Sequence, residues 1–350
     1  MLRTALVCCA LAVLCAPASL AAQLEVSGRG ASLVVGGLVQ TQYAASSIGD
    51  DESEFSLRRV RLRADVDVND FLGGRLETDF AGSGRILEMY ARLSFSDAFR
   101  LSFGTFKRAF DVFELSSATD VPLIERDGRI EGLDTCTGVG SICSYSRFTQ
   151  ALQLASRDIG LRVEGSAGRL EWLATFTNGT GINRADENDT KSLSGRVVYA
   201  INPDVRVAGQ LGLHDYVGPA ENEYALAFGG DLEVGTWRDG WHVQAGAVTG
   251  DNWLQLDPAD QEPVTFLALQ GMATYYHALG SERVEGIEPL LRLSWGDPDL
   301  DTDSDGGLLV TPGVQVYVLG RSRIGANLDI YSPQTGDGEI SFKLQTTLYF

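Results

Sequence analysis

The sequence predicts an all-β protein, a transmembrane antiparallel β-barrel of sixteen strands with one long loop. Alternation of apolar and polar residues with a period of two recurs from Leu33 to the C-terminus, with almost no helical periodicity. The connections alternate between tight turns and long polar loops, which is typical of outer-membrane barrels. Beyond Ala22, no apolar run approaches the ~20 residues that a membrane-spanning helix needs. The chain is therefore expected to cross a membrane as strands.

The N-terminal residues have the pattern of a secretory signal peptide. Arg3 precedes an apolar run from Ala5 to Cys15, and small residues at Ser19 and Ala21 follow it. We expect a signal peptide at residues 1–22 and a barrel domain at residues 23–350.

Every second connection between the predicted strands is a tight turn, such as Asn69-Asp70 or Gly320-Arg321. The longest connection, residues 111–157, is far longer than a cap requires, and such loops are usually functional. The predicted strands are 33–46, 55–68, 72–80, 86–96, 99–110, 158–166, 170–178, 190–201, 205–215, 223–236, 240–250, 264–278, 286–296, 307–319, 322–332 and 339–350.

The strand FSLRRVRLRADVDV carries an unusual row of arginines. Because side chains alternate along a strand, Arg59, Arg61 and Arg63 share one face and Val60 and Leu62 share the other. In a membrane barrel the apolar face contacts lipid, so the three arginines are expected to line the lumen. Arg58 is expected on the lipid face, where a long side chain can reach the headgroups.

The other strands extend this row to a larger set of inward arginines. One interpretation is an anion path, since guanidinium groups bind phosphate and carboxylate well. The other is a mixed polar wall in which the arginines pair with inward acids, and the sequence leaves both open. The predicted pore-lining arginines are Arg59, Arg61, Arg63, Arg75, Arg92, Arg162, Arg196, Arg206, Arg292 and Arg323. The candidate partner acids are Glu77, Asp79, Glu88, Glu164, Asp231, Glu233 and Glu288.

The net charge of −19 makes nucleic acid an unlikely type of partner. Most of the acidic residues fall in the long loops, where divalent cations can bridge them to anionic lipopolysaccharide. The expected partners are therefore outer-membrane lipid, lipopolysaccharide and small anionic or hydrophilic solutes.

Two cysteines remain after the signal peptide, and they predict a loop disulfide. Cys136 and Cys143 lie seven positions apart in a stretch rich in Gly and Ser. In an exported protein such a pair is expected to be oxidised. We expect the bond to hold the tip of the long loop.

An acidic stretch, Asp301 to Gly306, matches the opening of a calcium loop through Asp301, Asp303 and Asp305. The twelfth position is Pro312 instead of a bidentate Glu, which disfavours an EF-hand. A weak surface calcium site and a solvated acidic loop both fit. No other cofactor is expected.

Several stretches resemble the phosphate-selective porin (O and P) family: FSLRRVRLRADVDV, LSFGTFKRAF with ELSSATDVPLIERDGR, EPLLRLSW and GGLLVTPGVQVYVLGRSRIGANLDIY. The resemblance implies a trimeric porin in the outer membrane of a Gram-negative bacterium. It implies that loop 111–157 folds inward, with Arg126, Arg129 and Arg147 at a constriction that the arginine ladder reaches. The terminal Phe350 resembles the aromatic residue that barrel-assembly machinery reads.

The chain also departs from that family. Loop 111–157 contains no lysine, whereas phosphate-binding members use lysine there. The sequence therefore predicts passive diffusion of small solutes or ions, with anion or phosphate preference left open. A non-conducting binding or structural barrel is an alternative. An outer-membrane lipid hydrolase is a weaker one, because only His214, His242 and His277 are available as bases and no Gly-x-Ser-x-Gly is present. We expect no enzyme activity.

Overall fold

The computed structural model describes residues 24–28, 30–48, 53–117, 120–130, 132–133, 135–186, 188–218 and 221–350. The predicted signal peptide lies outside these residues. The described chain forms one antiparallel sheet that closes on itself. Among the described residues, no helix is long and apolar enough to span a membrane.

The strands follow the chain order around the wall. They are β1 (Leu24–Gly28), β2 (Ala31–Ser46), β3 (Ser53–Asp67), β4 (Leu72–Asp79), β5 (Arg85–Ser96), β6 (Phe99–Lys107), β7 (Arg157–Ala167), β8 (Leu170–Thr177), β9 (Ser192–Asn202), β10 (Val205–Gly218), β11 (Glu221–Thr236), β12 (Asp239–Leu256), β13 (Pro263–Ala278), β14 (Gly286–Asp297), β15 (Gly307–Leu319), β16 (Ser322–Pro333) and β17 (Glu339–Tyr349). Two short helices, α1 (Val112–Leu115) and α2 (Tyr145–Ala151), lie in the connection between β6 and β7.

The wall is closed by β17, which pairs with β2 from Ser341↔Ser46 to Tyr349↔Leu38. Phe350 adds two backbone hydrogen bonds to Gly37, of 2.6 and 3.0 Å. Sixteen strands, β2 to β17, therefore form the predicted closed barrel. The short β1 was not predicted. It pairs with the first residues of β2, on the same edge of β2 with which β17 pairs from Leu38 onward.

The predicted facing of β10, β16 and β17 is confirmed. On β17, Lys343 and Gln345 are buried inside the barrel, while Phe342 and Leu344 lie exposed on the outer face. The outer face can be apolar because it contacts hydrocarbon. Within the described residues, each strand from β2 to β17 has a hydrogen-bonded neighbour on both sides, which satisfies backbone groups that would be costly to leave unpaired in hydrocarbon.

The long connection between β6 and β7 folds into the barrel, as predicted. Its apolar side chains, among them Phe110, Phe113 and Phe148, form a core with inward-facing residues of β11 to β16 such as Phe266 and Leu309. Rings of Phe148 and Phe266 stack with centroids 5.1 Å apart. The loop therefore fills one side of the lumen and leaves open space against the other side, toward β3 to β7.

The docking of the loop can be tested at Gly296, on the inner face of β14. A side chain there would meet the Phe148 ring at 2.4 Å and the Cys143 carbonyl group at 3.1 Å. We expect Gly296→Val to destabilise the protein by about 1–3 kcal/mol, as overpacking does. The measurement is the temperature at which the barrel loses its fast gel migration. Gly271→Val is the control, because Gly271 has open space around its Cβ position; equal temperatures for the two variants would contradict the docking.

Candidate functional site

The open side of the lumen contains a strongly basic cavity of about 800 Å³. The loop forms one side of it, and the start of β3, β5 and β7 with the end of β6 forms the other. Among the described residues, ten basic side chains line it against three acidic ones, Glu114, Glu125 and Asp127. The basic ones are Arg58, Arg59, Arg61, Arg85, Lys107, Arg126, Arg129, Arg147, Arg157 and Arg184.

At one edge of this cavity the loop contacts the wall through a carboxylate. Glu125 receives hydrogen bonds from Arg58 Nε, at 2.5 Å, and from Arg58 Nη2, at 3.0 Å. Arg59 Nη2 lies 3.4 Å from the same carboxylate, and its Nη1 donates to Gln40 at 2.8 Å. Burial alone would raise the pKa of Glu125, but the two guanidinium groups lower it to about 2. Glu125 therefore stays ionised at any physiological pH.

Arg58 reaches the lumen because β3 contains a bulge. The pairing with β2 shifts from Gln40↔Arg59 to Thr41↔Leu57, so Arg58 is an extra residue without a partner in the ladder. Leu57 lies 63% exposed on the outer face. The bulge reverses the alternation and brings two consecutive arginines to the inside.

Further along the wall, away from the cavity, the arginines are paired with acids. Arg63 and Arg75 both contact Asp65, at 2.9 and 2.7 Å. Arg92 lies 3.0 Å from Asp67. Arg75 also pairs with Glu88, and Arg162 pairs with Glu164. At the cavity itself, Arg61 pairs with Asp79, and Arg157 lies 3.7 Å from Glu88. This part of the wall matches the interpretation in which inward charges compensate one another.

A second cavity, of about 490 Å³, lies beyond α1 toward the end of the barrel with the tight turns. Arg196 pairs with Asp231, and Arg206 lies 2.7 Å from Glu171. With Arg100, Glu164 and Glu233, three basic and four acidic side chains line it. The second cavity therefore lacks the excess of basic charge found in the first.

Comparisons with known proteins agree with this architecture. The model of a family described as "Phosphate-selective porin O and P" matches residues 36–210, half of the chain. This chain belongs to that family. It is an outer-membrane porin, a channel for passive diffusion in the outer membrane of a Gram-negative bacterium.

Solved structures share the fold of this porin at low sequence identity. The outer membrane channel DcaP of Acinetobacter baumannii is 14% identical with a TM-score of 0.66, over 93% of this chain and 99% of that one. An anion-selective porin from Comamonas acidovorans is 13% identical with a TM-score of 0.64, over 91% and 100%. OmpF of Salmonella typhi, in complex with daunomycin, is 13% identical with a TM-score of 0.64, over 93% and 100%. No curated protein matches the sequence.

The structure corrects three of the predicted positions in the porin. Arg58 faces the lumen and not the lipid, because of the bulge. Arg292 and Arg323 are 0% and 4% exposed and do not line open space, because the loop packs over their side of the wall. They hold the loop instead: Arg292 Nη1 donates to the Glu125 carbonyl at 3.2 Å, and Arg323 Nη2 donates to the Val121 carbonyl at 2.8 Å.

The three loop arginines that were expected at a constriction, Arg126, Arg129 and Arg147, line the basic cavity. Arg126 lies 3.3 Å from Glu114, and Arg147 Nε donates to the Gly140 carbonyl at 2.9 Å. Arg129 is exposed at the cavity surface.

Four further cavity residues were not among the predicted ones: Lys107, Arg85, Arg157 and Arg184. Lys107 ends β6 and donates to the Ser116 carbonyl at 3.1 Å. Lys107 precedes the predicted loop 111–157 by four residues, so it is not among the residues of the lysine-free loop. Their positions at strand ends could have indicated them. Lys107 and Arg157 flank the longest loop, and Arg85 begins β5 after the preceding connection.

The predicted disulfide between Cys136 and Cys143 is present, with Cα atoms 5.2 Å apart. Both cysteines are buried in the core between the loop and the wall, and the Cys143 amide donates to the Tyr331 hydroxyl at 3.1 Å. The disulfide was expected at the tip of the loop. It lies instead in the part of the loop that packs against the wall.

The histidines give no support to a hydrolase. Ser192 Oγ lies 3.2 Å from Nδ1 of His214, but both residues are almost fully buried. Arg108 Nη1 lies 3.0 Å from the same nitrogen, and it can only donate. Nδ1 is thus occupied as an acceptor. This buried cluster fixes the base of the loop, since Arg108 also donates to the Gln153 carbonyl at 2.9 Å.

The three aspartates proposed for calcium are not brought together. Asp301 and Asp303 are exposed, whereas Asp305 lies against Asp297 and Asp299. In the part of the chain that the structure describes, no group of three or more His, Cys, Asp or Glu side chains could hold a metal ion.

Asp111 opens the loop and is completely buried. Its Oδ1 accepts from the Phe113 amide at 2.9 Å, its amide donates to Gln210 at 3.0 Å, and its backbone has a φ of +70°. Burial, together with Glu114, raises the pKa of Asp111 to about 8. Its contribution to stability is therefore present below the unfolded pKa of about 4 and is lost as the pH rises through 8.

Asp111→Asn keeps the cap and tolerates a positive φ, but it needs no proton. We expect the variant to match the parent protein near pH 5 and to unfold at a higher temperature near pH 9, by heat-dependent gel migration. Asp257→Asn is the matched control, because Asp257 makes the same contact with an amide two residues on, at 2.7 Å, but is exposed. A difference for Asp111→Asn that does not change with pH would contradict the buried, protonated state.

Proposed function

We propose that this porin prefers anions and that small oxyanions, of which inorganic phosphate is one, are its substrate class. The observation that carries the proposal is the basic cavity between the loop and β3 to β7. Its described lining has ten basic and three acidic side chains in about 800 Å³. Low-dielectric walls concentrate the field of such a lining and raise the local concentration of anions.

The overall charge of −19 does not oppose this preference. The acids are concentrated in the outer loops, and those in the barrel wall are largely neutralised by arginine. Surface charges are screened within roughly 8 Å at physiological ionic strength. A solute inside the cavity therefore experiences mainly the side chains that line it.

The type of cation favours oxyanions over halides. Nine of the ten basic lining residues are arginines. The guanidinium group presents a rigid fork of donors that matches carboxylate and phosphate oxygens. A chloride ion offers the fork a single acceptor atom, whereas a carboxylate or phosphate group offers two oxygens.

The relatives support the same conclusion. The family's description names phosphate selectivity, and one structural neighbour is described as anion-selective. The chain lacks lysine in its loop, but Lys107 at the end of β6 supplies one lysine to the cavity. Arginine and Lys107 together replace the lysines of the loop.

We also propose a homotrimer. One structural neighbour, OmpT of Vibrio cholerae, is described in a trimer form. The wall is lowest at β4 to β8, where strands of eight and nine residues occur, and its outer face exposes Phe80, Phe95 and Phe103. Light scattering in a mild detergent is expected to give the mass of three copies of the chain, and a monomer at all concentrations would contradict this.

The acidic outer loops would contact lipopolysaccharide through divalent cations.

Anion preference is tested by Arg85→Gln/Arg157→Gln in planar bilayers. Both residues line the cavity, so we expect the anion-to-cation permeability ratio, from reversal potentials in a KCl gradient, to fall about twofold or more. Phosphate should also block the chloride current less. Arg169→Gln/Arg283→Gln is the matched control, because it removes the same charge from exposed turns outside the cavity. A permeability ratio that moves equally in both variants, or in neither, would contradict the proposal.

A further inference from the structure

We infer that Arg58 and Arg59 form a binding site for small carboxylates and that Glu125 occupies this site as a built-in competitor. The inference deepens the proposed function, because it names a binding site within the same cavity. A permeating carboxylate would bind by displacing the Glu125 side chain.

The geometry is that of a bound ligand. Arg58 presents two nitrogens to the two oxygens of one carboxylate, at 2.5 and 3.0 Å, which is the bidentate arrangement of arginine with a free carboxylate. Arg59 adds a third contact at 3.4 Å. The carboxylate carried by the loop thus satisfies two guanidinium groups of the wall.

Arg59 and the backbone of Arg58 are held in place by contacts that do not involve Glu125. Arg59 Nη1 donates to Gln40 Oε1 at 2.8 Å, and Gln40 in turn donates to Thr347 at 3.2 Å. The bulge fixes the backbone of Arg58. Arg59 would therefore keep its position when Glu125 leaves, and the Arg58 side chain would be available to bind an incoming carboxylate.

The loop backbone is also held independently of the Glu125 side chain. Arg292, itself fully buried, donates to the Glu125 and Arg126 carbonyl groups and lies 2.9 Å from Asp329. The Glu125 side chain can consequently rotate away, or be replaced, while the loop stays docked.

The pair of Arg58 and Glu125 borders two cavities. Arg58, Arg129 and Glu125 line the basic cavity and also a neighbouring cavity of about 660 Å³, whose other walls include Gln42, Ser56 and Lys343. The bridge between Arg58 and Glu125 is therefore the partition between two open volumes. A tethered competitor at this point keeps the apparent affinity for anions low, because its effective concentration is high.

The test uses succinate block of the chloride current through single channels in planar bilayers. Glu125→Ala vacates the site, and we expect the succinate concentration for half-block to fall about tenfold or more. Glu114→Ala is the matched control: it removes the same charge from the same loop and cavity, but Glu114 contacts Arg126 and Gln150. It should change the half-block concentration less than about twofold.

Two further variants make the result specific. Glu125→Gln keeps the side-chain size and should show part of the gain. Adding Arg58→Gln to Glu125→Ala should abolish the gain. Unchanged heat-dependent migration and unchanged chloride conductance noise verify that the loop remains docked.

The outcomes separate this inference from the proposed function. Equal shifts in Glu125→Ala and Glu114→Ala, or no shift in either, overturn the built-in competitor. A parent protein that prefers cations overturns the anion preference, while the comparison of the two alanine variants still decides the role of Glu125.

Discussion

The structure depends on an apolar contact inside the barrel. A barrel of sixteen strands encloses more space than its own side chains fill, and the rest is occupied by a loop of the same chain. The contact is one-sided: inward positions of β11 to β16 carry apolar residues such as Phe266, Met272 and Leu309, whereas β3 to β7 carry charged ones. Hydrophobic burial thus decides where the loop lies, and the position of the loop decides where water and ions can pass.

The charged residues follow this division. On the filled side, a buried arginine such as Arg292 must find partners, and it finds Asp329, Thr311 and loop carbonyl groups. On the open side, arginines such as Arg58, Arg63 and Arg75 pair with acids but keep about a third of their side-chain surface exposed to the lumen. The same residue type is therefore a structural anchor at β14 and β16 and part of the lining of an open cavity at β3, β5 and β7.

Most of the wall could be predicted from the sequence, because period-two alternation and tight turns are local signals. The facing of β10, β16 and β17 followed directly from it. The docking side of the loop could not be predicted, since it depends on contacts between residues such as Phe148 and Phe266, more than a hundred positions apart. For this reason Arg292 and Arg323 were expected in the pore. The bulge at Arg58 did leave a signal: Phe55 and Leu57 are in phase with Arg59, so the alternation had to break between them.

The bulge also determines which single-residue insertion or deletion β3 can accept without turning its other side chains to the opposite face. Arg58 is the one residue of this strand without a partner on β2, and its neighbours Leu57 and Arg59 already face opposite sides. Losing Arg58 would leave a regular strand with every other side chain on its present face. Losing any single residue from Val60 to Val66 would shift the phase of the following positions, turning arginine or aspartate toward hydrocarbon. Arg58 is therefore the cation at Glu125 that a single insertion or deletion can add or remove while every other side chain of β3 keeps its face.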